Sequence, residues 1–164
     1  MTDRTVAAVF EDREAAGHAL HALHAAEFPG SALSLLTNET HKGQLVPGES
    51  KAVEEGTGVG AGVGALLGSM AMAATLPVPG GIFVGGPLGA VLVGAASGAV
   101  GGGTAGALAG LGVDQPRAKA FEDRLHQGGV GIAVETHTRD EAERAAELLA
   151  SSGGELVITT NPKP

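Results

Sequence analysis

The sequence is dominated by a stretch of 58 residues without a charged side chain, Gly56–Val113, which reads GTGVGAGVGALLGSMAMAATLPVPGGIFVGGPLGAVLVGAASGAVGGGTAGALAGLGV. All 18 acidic and 10 basic residues of the 164-residue chain lie outside it, whereas 19 of the 28 glycines lie within it. A segment that is this apolar and this poor in charge is expected to be removed from water. It therefore divides the chain into a buried middle part and two charged flanking parts.

Small residues recur every fourth position in this stretch. A first series consists of Gly56, Gly60, Gly64 and Gly68, and a second series consists of Gly86, Ala90, Gly94, Gly98, Gly102, Gly106 and Gly110. Residues four apart lie on nearly the same side of a helix, and small side chains there let another helix approach closely. The two series, called the small-residue ladder below, predict helix packing and self-association into a homo-oligomer.

The length of the stretch permits a helical hairpin. Gly56–Leu76 has 21 residues and would span about 31 Å as a helix, close to the thickness of a hydrocarbon core. Pro77–Gly81 interrupts the pattern, and Ile82–Gly112 provides a second apolar arm. Basic residues flank the outer ends of the hairpin and not its tip, which favours a transmembrane hairpin with both ends on the cytoplasmic side and the lipid bilayer as a partner.

Two alternatives stay open for this stretch. The first arm, Gly56–Leu76, has only five Leu or Val residues, and the chain has no Trp or Tyr to mark a membrane interface. Hairpins from several copies could instead bury one another inside a soluble, closed homo-oligomer or scaffold. Disorder or β-aggregation is the third reading of such a glycine-rich segment.

The part before the stretch, residues 1–37, predicts a β-α-β unit. Thr5–Phe10 is typical of a buried strand, Asp12 stands where a helix N-cap is needed, and Ala15–Ala26 presents an alanine-rich apolar stripe. Ala32–Thr37 then predicts a second strand. Residues 38–55 are polar, contain Pro47-Gly48 and indicate a linker.

The part after the stretch, residues 114–164, repeats this plan. Asp114 is placed to cap a helix that ends at Gly128-Gly129, and a strand is predicted over Val130–Thr136. Thr138 and Glu141 have the spacing of a capping box, and Glu155–Thr160 predicts the last strand. Together the two halves predict an α+β fold, a four-stranded sandwich of ferredoxin-like type that a Gly/Ala-rich helical hairpin (56–113) interrupts.

Composition excludes several classes of protein. Without cysteine the chain has no disulfide, no zinc-thiolate site and no thiol nucleophile. A formal net charge of -8 and only four Phe among the aromatic residues argue against a nucleic-acid partner.

Motifs for chemistry are weak in this sequence. Gly101–Gly106 matches G-x-G-x-x-G, but the same glycines belong to the ladder and no strand pattern directly precedes them. His18, His21 and His24 are spaced three apart on the first helix, although no acid at a matching position completes a metal site. We therefore expect no catalytic, cofactor-binding or metal-binding residues and a non-enzymatic protein. A second function stays open, in which the two β-α-β halves bind a small ligand and the hairpin is only an anchor.

The order of these motifs resembles the bacterial general stress protein (YflT-like) domain family over nearly the whole chain. The residues that carry the resemblance are Val6–Phe10, Glu14-Ala15-Ala16, Leu111-Gly112-Val113, Ala118, Phe121-Glu122, Gly128-Gly129-Val130, Glu141–Ala145 and Gly153-Gly154. The resemblance implies two β-α-β halves around a glycine-zipper segment in a bacterial, stress-associated protein, and no catalytic residues. The hairpin would then lie in the bacterial inner membrane; in the soluble alternative the protein is cytoplasmic.

Overall fold

The computed structural model describes residues 3–38, 76–78, 82–85, 87–96 and 103–160. The strands are β1 (Arg4–Phe10), β2 (Leu33–Asn38), β3 (Leu76–Val78), β4 (Ile82–Gly85), β5 (Val130–Thr136) and β6 (Glu155–Thr159). The helices are α1 (Arg13–Ala25), α2 (Pro87–Ala96), α3 (Gly103–Gly110), α4 (Gln115–His126) and α5 (Arg139–Ser151), and a short 3-10 turn (Gly30–Ala32) precedes β2.

The strands form one antiparallel sheet in the order β3-β4-β2-β5-β1-β6. The longest pairing in the sheet joins β1 and β5, whose register runs from Arg4 opposite Thr136 to Phe10 opposite Val130. The predicted α+β class is confirmed, and the four strands predicted from the flanking parts lie side by side. Residues 76–78 and 82–85 add β3 and β4 to these four strands at the β2 side.

The first face of the sheet is covered by α1 and α5. Asp12 caps α1 by accepting a hydrogen bond from the N–H of Ala15 at 2.8 Å, and Thr138 and Glu141 form the predicted capping box of α5. Both helices turn alanines and leucines toward the sheet, so they pack closely on it. The buried cluster on this face contains Val6, Ala8, Phe10, Ala16, Ala19, Leu20, Leu23, Phe28, Leu33, Leu35, Val130, Ile132, Val134, Ala142, Ala145 and Leu149.

The second face is covered by α2, α3 and α4, two of which come from the uncharged stretch. The cluster there contains Ala7, Val9, Leu36, Ile82, Val84, Leu88, Leu92, Ala107, Leu108, Val113, Ala118, Phe121, Leu125, Ala133 and Ile158. Successive residues of β1 point to opposite faces, and those from Val6 to Phe10 are all at most 2% exposed. The described part of the chain is therefore a three-layer arrangement of helices, sheet and helices.

Polar side chains on β2 fix the helices of the second face. The hydroxyl of Ser34 accepts a hydrogen bond from the N–H of Leu88 at 3.0 Å, in the first turn of α2. The side-chain amide of Asn38 donates to the carbonyl oxygens of Leu125 at 3.1 Å and His126 at 3.4 Å, at the end of α4. Both residues are buried, so each satisfies a helix end that water reaches poorly.

A glycine on β5 allows α4 to approach the sheet closely. A Cβ atom at Gly131 would lie 3.0 Å from the Cβ of Leu36 and 3.2 Å from a methyl group of Leu125. At the sheet edge, Arg117 of α4 donates to the carbonyl oxygen of Val157, and Arg124 forms an ion pair with Glu155. These contacts join α4 to β2, β5 and β6.

The prediction of a transmembrane hairpin is wrong. Its second arm, Ile82–Gly112, is a strand and two short helices, because β2 offers β4 a hydrogen-bonding edge and Pro87 begins a new helix. Among the described residues no helix is long and apolar enough to cross a bilayer. The first arm lies outside the described residues except for Leu76, which begins β3.

Two smaller expectations also need correction. Asp114 is the N-cap residue of α4, but its side chain makes no capping hydrogen bond. Pro77, predicted to separate two helices, lies in the edge strand β3, where a residue without an N–H group is tolerated.

Candidate functional site

Four positions of the small-residue ladder lie on described helices. Ala90 and Gly94 belong to α2, and Gly106 and Gly110 belong to α3. The other predicted ladder positions fall outside the described residues: Gly56, Gly60, Gly64, Gly68, Gly86, Gly98 and Gly102.

On α2 the ladder positions lie opposite the buried side. Leu88 and Leu92 are buried in the second-face cluster, at 1% and 0% exposure. At about 100° per residue, positions 90 and 94 fall on the other side of the helix axis. Val91, a neighbour of position 94 on this outer side, is 39% exposed.

The same arrangement recurs on α3. Thr104, Ala107 and Leu108 are buried toward the cluster, whereas Gly106 is half-buried and Gly110 is exposed. Leu88, Leu92 and Leu108 therefore face the sheet, whereas Gly106 and Gly110 lie toward the outer side of α3. We call the outer side of α2 and α3, with Ala90, Val91, Gly94, Gly106 and Gly110, the outer ladder surface.

The G-x-G-x-x-G motif coincides with the start of α3, where its last residues are helical. The N–H of Ala105 in the first turn donates to a carboxylate oxygen of Glu122 at 2.7 Å. A bound pyrophosphate would need this helix end, and the Glu122 charge would repel it. The nearest described element before the motif is α2, a helix, whereas a dinucleotide site follows a strand.

The three histidines of α1 are all exposed on the outer side of the helix. Within the described ranges, no group of three His, Cys, Asp or Glu side chains is placed to hold a metal ion.

Titratable groups with altered pKa values belong to surface pairs and helix caps. A hydrogen bond and the charge of Asp123 raise the pKa of Lys119, one turn away on α4. Hydrogen bonds from the backbone N–H groups of His137 and Thr138 lower the pKa of the Glu141 carboxyl in the capping box. The first of these contacts is an exposed pair along α4, and the second stabilises the start of α5.

His137 and Asp3 form an exposed pair with a testable pH dependence. The His137 Nδ1 atom lies 2.8 Å from an Asp3 carboxylate oxygen, and this contact raises the pKa of His137. Because the folded-state pKa is the higher one, the pair stabilises the fold below the unfolded-state pKa of about 6.5 and loses this contribution as the pH rises through the folded-state value. We expect Asp3→Asn to lower the pKa of His137 in an NMR titration. An unchanged pKa would show that the pair does not form in solution.

Sequence reasoning missed the polar residues that hold the second-face helices. Ser34 and Asn38 lie in and directly after a predicted strand, and Glu122 lies on α4. One sequence signal could have found Ser34 and Asn38, namely that both are polar within an otherwise apolar segment, Ser34–Asn38. A buried strand tolerates such side chains only when they have hydrogen-bonding partners.

Comparison with known proteins adds no further assignment: no family model, no curated protein and no solved structure matches this chain. The resemblance to the general stress protein family stays a prediction from the sequence.

Proposed function

We propose that this protein is a non-enzymatic, self-associating scaffold in which the outer ladder surface packs against the same surface of another copy. The observation that carries the proposal is the orientation of α2 and α3. Leu88, Leu92 and Leu108 are buried within the chain, so exposed Gly110 and half-buried Gly106 are left for contact with another backbone. Partly exposed Val91 adds apolar area beside the glycines.

The fold that we propose for this scaffold is ferredoxin-like with an insertion. The strand order β2-β5-β1-β6 with α1 and α5 on one face supports it. The segment between β2 and β5 would be the insertion, covering the other face with α2, α3 and α4. The proposal takes up the soluble homo-oligomer of the sequence analysis, with a cytoplasmic location and a stress-related role as the family resemblance implies.

A small-ligand-binding module is the less favoured function. Helices cover both faces of the sheet in the described part of the chain, so the broad surface of the sheet is occupied by the chain's own side chains. Binding of a small molecule would need a different site.

Self-association is tested by Gly110→Leu. Gly110 is exposed and its φ is not positive, and Leu is favoured over Gly in a helix by about 1 kcal/mol, so the substitution should not unfold α3. We expect the unmodified protein to sediment as an oligomer in detergent-free buffer, and we expect Gly110→Leu to weaken association at least about tenfold, a change of 1.4 kcal/mol.

The matched control is Ala150→Leu, which adds bulk at an exposed position of α5 on the opposite face. This control should sediment like the unmodified protein. A monomeric unmodified protein, or equal sedimentation of Gly110→Leu and the unmodified oligomer, would rule out association through this surface.

A further inference from the structure

The first turn of α3 contains a buried hydroxyl group without a partner. Thr104 is 0% exposed, and among the residues that the structure describes its Oγ1 atom has no hydrogen-bond partner. A threonine inside a helix can donate to the carbonyl four residues earlier. Thr104 is the second residue of α3, so the helix contains no such carbonyl. An unsatisfied buried hydroxyl opposes the packing of this turn.

The two ends of α3 are held differently. At the C-terminal end, the N–H of Leu111 bonds to the carbonyl of Ala107 at 3.2 Å, and the N–H of Val113 bonds to that of Leu108 at 3.1 Å. Gly112 takes a φ of 90° in this turn, and Val113 is buried beyond it. The N-terminal end is joined to α4 by the carboxylate of Glu122, which accepts from the N–H of Ala105.

The apolar anchoring of α3 is also small. It is an eight-residue helix that buries Thr104, Ala107 and Leu108. Its neighbour α4 buries Phe121 and Leu125 and is bonded to Asn38 on the sheet. A helix this short is not stable without packing, so α3 depends on its contacts with α2, α4 and the second-face cluster.

We propose that α3 opens locally, which means that it detaches from the second-face cluster while α4 and the sheet stay folded. The N-terminal end of α3 detaches first, and the helix turns about Gly112. The unpaired hydroxyl of Thr104 favours the open state, because water satisfies it there. The carboxylate of Glu122 favours the closed state, because it caps the first turn. Opening uncovers the apolar side chains that Ala107 and Leu108 contact. This device goes beyond self-association and does not depend on it.

Native-state hydrogen exchange of the full chain tests this opening. In the unmodified protein, the amides of α3 should exchange faster than those of β5. Thr104→Val keeps the side-chain shape and removes the unpaired hydroxyl. We expect it to slow exchange at the amides of residues 107–110 about tenfold, and to leave the amides of β5 and α5 unchanged.

Thr136→Val is the matched control, because the buried hydroxyl of Thr136 donates to the carbonyl of Arg4 at 3.0 Å. It should not slow exchange in α3. Glu122→Ala supplies a second test and should make exchange at α3 faster, again without an effect on β5. If the α3 amides exchange as slowly as those of β5, or if Thr104→Val does not slow them, α3 does not open locally.

Discussion

Phe121→Ala is expected to lower the free energy of unfolding by about 3–5 kcal/mol. Phe121 lies on α4, is 0% exposed and packs within the cluster between the second-face helices and the sheet. Its removal leaves a cavity in a layer that is otherwise built largely from alanine, valine and leucine. Because the free energy of unfolding of a domain is only about 5–15 kcal/mol in total, this loss should be easy to measure.

Chemical denaturation followed by circular dichroism is the suitable measurement, since the chain has no Trp or Tyr for fluorescence. The matched control is Lys119→Ala on the same helix, whose side chain is 66% exposed and should contribute little. All variants need the same protein concentration, because association would add to stability. A loss below about 1 kcal/mol for Phe121→Ala would show that α4 does not pack on the sheet.

Asn38→Asp is expected to cost about 3 kcal/mol or more at pH 7. The side-chain amide of Asn38 points at the carbonyl oxygens of Leu125 and His126. Aspartate has nearly the same shape, but it replaces the donor by a charged oxygen that faces two acceptors. Since Asn38 is only 9% exposed, water cannot relieve this repulsion.

The part of this destabilisation that comes from the charge of the introduced carboxylate depends on pH. Burial favours the protonated form of the introduced carboxyl and raises its folded-state pKa, so the deficit should be smallest below the unfolded-state pKa of about 4 and grow as the pH rises from there through the folded-state pKa. Asn38→Ala is the control that removes the donor without adding charge, and it should cost about 1–3 kcal/mol with no such pH dependence. Equal, pH-independent losses for both variants would contradict the proposed contact with the end of α4.

The flanking halves were largely predictable because their signals are local. Asp12 and the pair of Thr138 and Glu141 mark helix starts, and the structure places each of them at a helix cap as expected. Strands such as Val130–Thr136 show their length and branching directly in the sequence. Such elements depend mainly on neighbouring residues, so a single sequence is sufficient to locate them.

The role of the uncharged stretch was not predictable in the same way, because it depends on packing against strands that are distant in the sequence. Apolar helices that cover a sheet and apolar helices that cross a bilayer have similar compositions. One signal favoured the sheet: β1 has apolar residues at every position from Val6 to Phe10, which indicates a strand with both faces covered. The anchors Ser34 and Asn38 could not be assigned without the packing that buries them.

The most direct test of the three-layer arrangement is a nuclear Overhauser spectrum of the full chain with methyl-labelled leucine, valine and alanine, in which the paired Val6 and Val134 and the paired Ala7 and Ala133 report on the β1–β5 contact. Leu36 on β2 and Leu125 on α4 both approach the space above Gly131, so their methyl groups should give cross-peaks. These cross-peaks would place α4 on the second face of the sheet in solution. If they are absent while the β1–β5 cross-peaks are present, the helices do not cover that face, and the outer ladder surface loses its structural basis.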